Sequence, residues 1–335
     1  DGMLTLHGDT LHFAFPEVHK KARCGVEFQS VLRVPDHDFY SWIPPSRGKS
    51  PVRLVDDYLE RLPEDWARHG GVFLPMYQSE ALGLYFLEPY PCAIKVGAGK
   101  INAITGDPWT HELRPGRQDY LVTSRDVALY GFNVANELVR QFVAMPLGEG
   151  YTAEEQLTGL AKNGGLQIQV YPMKVEAFRD LYGARADSDA EDWYEVPHVN
   201  FMRLGPPKGQ QPDMGLAPGG LVRQPTPKDE YGYDVWDQTQ RQRCFVHILN
   251  SHQYRAVTGE KLPYPPPGVR DYKIRRLPWY HHYSEGQTVE GSRILAKLAS
   301  VATWFKAKHG QPLPDNDPPG PVEIQPVRTR QIRSG

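Results

Sequence analysis

Cys92-Ala-Ile-Lys-Val96, running on to Ala103-Ile-Thr-Gly106, and Cys244-Phe-Val-His-Ile248, running on to Ala256-Val-Thr-Gly259, are two spellings of one unit. Each opens as an alternating strand led by cysteine and closes on a glycine after a β-branched residue and a threonine. The connecting stretches differ by one residue. Alternation at period two is the signature of a half-buried strand, and a closing glycine is the residue that ends a helical turn in the left-handed region. The pair predicts two similar strand–helix corners built on one scaffold. A second echo, Leu138-Val-Arg-Gln141 and Leu221-Val-Arg-Gln224, falls after the first unit and before the second. A tandem copy would preserve order, so this match is set aside as chance.

Outward from these units the chain reads mainly as strands. Leu4 to Phe15, Cys24 to Val34, Val72 to Met76, Leu82 to Leu87, Leu138 to Met145 and Leu166 to Tyr171 share the alternation. Helices are fewer. Val55 to Arg68 is interrupted at Pro63, and Val175 to Tyr182 ends at Gly183. Thr152-Ala-Glu-Glu155 spells a capping box for a helix expected to reach about Ala161 and stop at Asn163-Gly164-Gly165. Ser292 to Lys308 carries Ile294, Leu295, Leu298, Val301 and Phe305 along one face, with Lys306 and Lys308 at the negative end of its dipole. Residues 204–234 and 260–278 have no clear period, and the many prolines and glycines (31 of each) imply many turns. The expected fold is α+β: a largely antiparallel, turn-rich β structure with short helices, two similar strand–helix units and a C-terminal helix.

At 335 residues the chain exceeds an ordinary single domain. Residues 1–310 are expected to form one large domain or two intimately packed halves, about 1–200 and 201–310. Residues 311–335, with six prolines and three arginines, read as an extended C-terminal tail through which a homo-oligomer or a protein partner is engaged. A formal net charge of −2 argues against a nucleic-acid partner, which would call for a basic surplus. No apolar run is long enough to span a bilayer, so no membrane partner is expected. The three scattered cysteines, Cys24, Cys92 and Cys244, make no disulfide framework, and the expected compartment is the reducing cytoplasm.

The chemistry-bearing motifs are weak. Gly97-Ala-Gly99-Lys100 and Gly215-Leu-Ala-Pro-Gly219-Gly220-Leu-Val-Arg223-Gln224 suggest phosphate loops but lack the spellings of nucleotide-binding motifs; turns needing positive φ explain both. No cofactor and no metal site is expected, since His281-His282 point to opposite faces of a strand and no C-x-x-C pair occurs. His247 is a candidate general base, because imidazole titrates near neutrality, yet Lys95 takes its place in the first unit and favours a structural role. Glu154 and Arg140 complete the catalytic candidates. Lys100, Arg140, Gln141, Arg223, Gln224, Trp236 and Trp279 are the ligand-binding candidates, the two tryptophans from aromatic clusters suited to stacking or to plugging loops.

The block Val139-Arg-Gln-Phe-Val-Ala-Met-Pro-Leu-Gly-Glu-Gly-Tyr-Thr-Ala-Glu-Glu-Gln156 resembles a group of uncharacterised bacterial and fungal proteins. The resemblance runs on through Gly165 to Met173, Gly215 to Gly220, Ala256 to Gly259 and Leu74 to Ala81. It implies kinship and no activity. Two functional classes follow: a binding or assembly protein acting through its long Pro/Gly-rich loops and aromatic clusters, or an enzyme with a polar pocket near Lys100, Arg140, Gln141 and His247.

Overall fold

Both cysteine-led strands enter one sheet, on either side of the same neighbour. A computed structural model describes residues 3–36, 39–87, 90–123, 127–183, 186–187, 214–266 and 288–313. In chain order the strands begin with β1 (Met3–His7), β2 (Thr10–Ala14), β3 (Arg23–Val31), β4 (Ser46–Lys49), β5 (Arg53–Leu54), β6 (Val72–Met76), β7 (Ala81–Leu87) and β8 (Cys92–Ala98). They continue with β9 (Ile101–Asn102), β10 (Leu121–Val122), β11 (Ala128–Leu129), β12 (Gly131–Ala135), β13 (Leu138–Pro146), β14 (Leu166–Pro172), β15 (Met214–Arg223) and β16 (Gln242–Asn250). The helices are α1 (Glu64–His69), α2 (Ala153–Thr158), α3 (Val175–Tyr182), α4 (Ser251–Thr258) and α5 (Val301–His309), with short 3₁₀ turns at Val55–Arg61, Tyr233–Val235 and Leu295–Lys297. The class is a strand-dominated mixture of α and β.

Sheet one runs β1-β2-β3-β7-β13-β12, with β4 also on β3, β11 on β7 and β15 on β13. Sheet two runs β10-β8-β14-β16-β6-β5, with β9 on β8. The pairings between these strands are antiparallel except β6 with β16, which is parallel. One apolar cluster joins the sheets. It takes Phe13, Phe28 and Leu84 from sheet one, Ile94, Val96, Ile168 and Val246 from sheet two, and spans the chain from Leu11 to Leu298.

β8 and β16 flank β14, and Ile168 faces Val96 on one side and Cys244 on the other. Both strands therefore present the same face to the core, as the echo predicts. The helical half of the prediction fails in the first unit. After Gly99 (φ 56) the chain folds back as β9, which leaves only one turn before Gly106 (φ 74). The Asn102 amide oxygen accepts from the N–H groups of Ile104 and Thr105 and closes that turn. In the second unit Asn250 does the same for His252 and Gln253, but here the amide caps the eight-residue α4, which ends at Gly259 (φ 75). The shared element is an asparagine cap and a glycine stop; the helix length between them differs because β9 uses up the chain.

Other elements depart from expectation for local reasons. The helix expected over Ser292 to Lys308 breaks at Leu298, whose backbone is extended, and restarts as α5 where the Ser300 hydroxyl caps Thr303. α2 has the predicted capping box but stops at Gly159 (φ 71), short of Ala161. Within 204–234 the structure reveals β15, which period-based reading misses because four of its ten residues are glycine or proline. Among the described strands β15 pairs with β13 alone, and at Pro218 its other edge has no strand partner, so a missing N–H is tolerated there. Gly219 and Gly220 are not at positive φ. A Cβ on Gly220 would lie 2.5 Å from the Pro35 oxygen, so close packing, and no anion, explains that glycine pair.

Candidate functional site

The polar residues singled out in the sequence fall in three separate places. Gln141 and Gln224 do equivalent work on sheet one. Gln141 is wholly buried; its Oε1 accepts from Val34 N at 2.7 Å and its Nε2 donates to Leu32 O at 3.0 Å. Gln224 accepts from Tyr130 N at 2.9 Å and donates to Ala128 O at 2.5 Å. Each amide completes the hydrogen bonding of an adjacent segment. The preceding arginines are paired too, Arg140 with Asp36 at 2.9 Å and Arg223 with Glu137 at 2.9 Å.

The two Leu-Val-Arg-Gln stretches that order had dismissed as chance lie face to face. Leu138 pairs with Arg223, Val139 with Val222 and Arg140 with Leu221, antiparallel. Their likeness is that of two strands meeting about a local twofold, not that of a copied domain.

Glu154 lies far from Arg223. Roughly 30 Å of β15 separates Arg223 from Met214, the end against which α2 packs. The Glu154 carboxylate accepts from Asn163 N at 3.1 Å and Asn163 Nδ2 at 2.8 Å, and takes a further bond from the Lys100 backbone. Burial raises its pKa against those bonds. It ties α2 to the β8–β9 turn, while the Lys100 side chain is exposed.

His247 faces away from the core, beside Phe245, as its strand parity predicts. Its ring stacks on Trp66 at 4.2 Å, and its Nε2 lies 3.1 Å from Gly70 O. Burial lowers its pKa to about 4, so the ring is neutral at pH 7 with Nε2 carrying the proton that it donates to Gly70. Trp236 is 1% exposed and donates to Asp229 at 2.8 Å, a loop plug edged by Tyr120 and Tyr231. Trp279 lies outside the described residues.

A further group of buried titratable side chains was not among the candidates. Glu80 sits where the chain crosses from β6 in sheet two to β7 in sheet one. It accepts from the Ser30 hydroxyl and, at 3.1 Å, from Arg47; both charges are almost fully enclosed. Burial raises the Glu80 pKa in spite of Arg47 and Ser30. Arg47 also donates to Pro265 O and lies 5.1 Å from the Tyr264 ring centre, while Tyr264 bonds Ser50 at 2.8 Å. The group pins the two sheet crossings, β4–β5 and β6–β7, to the segment after α4. Its one legible sign in the sequence is a glutamate placed directly before an apolar strand. Among the described residues no three His, Cys, Asp or Glu side chains are grouped to hold a metal ion.

Arg223 lies among exposed aromatic side chains at the Leu138–Arg223 end of sheet one. Ser41 bridges to Val222, exchanging backbone bonds with Leu221 and Arg223. This seats Tyr40 and Trp42 beside Arg223, whose guanidinium lies 5.6 Å from the Trp42 ring centre and bonds Tyr40. Phe39 is 65% exposed and Tyr40 44%. Ile43 of the same loop packs on an apolar cluster that also receives Trp304, Phe305 and Leu313. Along α5 an open depression of about 320 Å³ is lined by Glu149, Trp304, Ala307 and Lys308. No family model, no curated protein and no solved structure matches this chain. Among the described residues no helix is long and apolar enough to cross a membrane.

Proposed function

We propose that this chain is a binding or assembly protein whose contact surface is the aromatic patch Phe39, Tyr40 and Trp42 with Arg223. The observation that carries the reading is the exposure of Phe39 and Tyr40 beside an arginine. Large aromatic side chains and arginine are the residues enriched at protein interfaces, and an exposed phenylalanine is a cost that association removes. The root of the C-terminal tail supports the same reading, since Leu313 packs on the cluster that anchors the patch loop. The partner proposed is a second copy of the chain. Kinship with the bacterial and fungal group that shares the 139–156 block, and residence in a reducing compartment that suits three free, buried cysteines, belong to the same proposal.

The enzyme alternative needs Lys100, Arg140, Gln141 and His247 to converge. Gln141 and His247 spend their polar atoms on backbone groups of different sheets, so that alternative is not favoured. Sedimentation velocity of the full chain from low to high micromolar concentration tests the assembly reading. The wild type should form a defined oligomer, and Phe39→Ser with Tyr40→Ser should sediment as a monomer with unchanged far-ultraviolet circular dichroism. A wild type that is monomeric throughout overturns the reading; a double variant that stays oligomeric overturns the surface.

A further inference from the structure

We infer that the outer face of sheet two carries a binding site for a carboxylate or phosphate group, centred on Arg243. Cys244, Val246 and Ile248 of β16 lie in the core cluster, which leaves Arg243, Phe245 and His247 on the opposite face. The Arg243 guanidinium lies over the Phe245 ring, 4.6 Å from its centre. That contact holds the planar cation in one orientation. His111, from the loop between β9 and β10, brings its two ring nitrogens to 3.3 and 3.4 Å from Arg243 Nη1. His69, at the end of α1, lies 5.0 Å from Phe245 between ring centres. His111, Arg243, Phe245 and His69 thus form one chain of contacts.

What this group lacks is an anion. Among the described residues Arg243 has no carboxylate partner, whereas Arg47, Arg53, Arg114, Arg140 and Arg223 each have one. Glu112, next to His111 in the chain, is engaged by Arg241 at 3.5 Å. Lys95, in register with Gln169 and then Arg243, is already neutralised by Asp119 at 2.7 Å. In the neighbouring register row Trp109 packs on Gly97, and its indole N–H is buried without an acceptor. Burial draws the Arg243 pKa downward, and only the Tyr171 phenol draws it back.

The imidazole is held in place from behind. Gln169 Oε1 lies 3.3 Å from His111 Nδ1 while Gln169 Nε2 donates to His111 O at 3.0 Å. Nη1 is nearly equidistant from the two ring nitrogens, so the guanidinium lies over the imidazole and not on one lone pair. An incoming oxyanion would give the guanidinium a charged acceptor, in the forked geometry that arginine offers to carboxylate and phosphate.

The test titrates the full chain, labelled with ¹⁵N, with inorganic phosphate in one arm and citrate in another at constant ionic strength. The readout is the Arg243 side-chain N–H and the His111 ring resonances. Saturable shifts of both are expected, and the arm that saturates at lower concentration assigns the chemistry. Arg243→Gln should weaken binding at least tenfold, while Arg255→Gln, on α4, should leave it unchanged. Shifts that rise linearly without saturation, or equal binding by Arg243→Gln and wild type, would overturn the site. The outcome is independent of oligomeric state, so it can fail while the assembly reading stands.

Discussion

At the scale of single residues, His247 and Gln141 show how a functional-looking side chain becomes a structural one. His247 is held neutral by burial against Trp66, with a folded-state pKa of about 4 against the ordinary 6.5. The unfolded chain therefore takes up the proton first. The stability contributed by this group is complete above about pH 6.5 and is lost as pH falls toward 4, by about 3 kcal/mol in all. Urea denaturation at pH 7 and pH 4.5 should show a steeper loss for the wild type than for His247→Gln; parallel losses would refute the assignment. Gln141→Met leaves Val34 N–H and Leu32 C=O buried and unpaired, which should cost about 2–4 kcal/mol. The measurement is a lower urea midpoint at unchanged slope.

At the scale of elements, glycine positions separate two costs that a sequence cannot distinguish. Gly220→Ala would drive a Cβ into the backbone oxygens of Val34 and Pro35, whereas Gly8 at φ 58 has open space around it. The first substitution should lower stability by about 3 kcal/mol through overpacking, the second by about 1 kcal/mol through backbone strain alone. Thermal melts of the two variants compare them directly, and equal losses would show that packing at Gly220 yields easily. The same contrast explains what was legible. The strands β8, β14 and β16 could be read because apolar residues recur at every second position even though both faces are largely buried, and β6 because it is a short apolar run. β15 could not, because its glycines and Pro218 answer to contacts with segments far away in the chain. The pairing of the two Leu-Val-Arg-Gln stretches was invisible for a related reason: a local twofold between antiparallel strands leaves no order-preserving repeat. Of the candidate site, residue types were legible and partners were not. Nothing in the spelling of Gln141, Gln224 or Trp236 tells whether the polar atoms meet solvent, a ligand or a stretch of backbone.

At the scale of the whole molecule, the Glu80–Arg47 pair joins the sheets where the chain passes between them. Removing one partner strands a charge in the interior. Arg47→Met should cost about 3–5 kcal/mol, and the double change with Glu80→Gln should recover a good part of it. Circular dichroism and tyrosine fluorescence should still report one coincident transition, because the cluster between the sheets draws on both halves of the chain. Two separated transitions would mean that the sheets can unfold apart.

The parallel pairing of β6 with β16 also sets a timetable for the chain as it leaves the ribosome. Val72–Met76 emerges early but cannot meet its long partner until Gln242–Asn250 has been made, roughly 170 residues later. At ordinary elongation rates that is a wait on the order of ten to thirty-five seconds. Over that interval an apolar strand with Leu74 and Met76 stands without its main neighbour, open to the wrong pairing. Yield in the cell should therefore respond more to translation speed and chaperone supply over this stretch than to the stability of the finished protein.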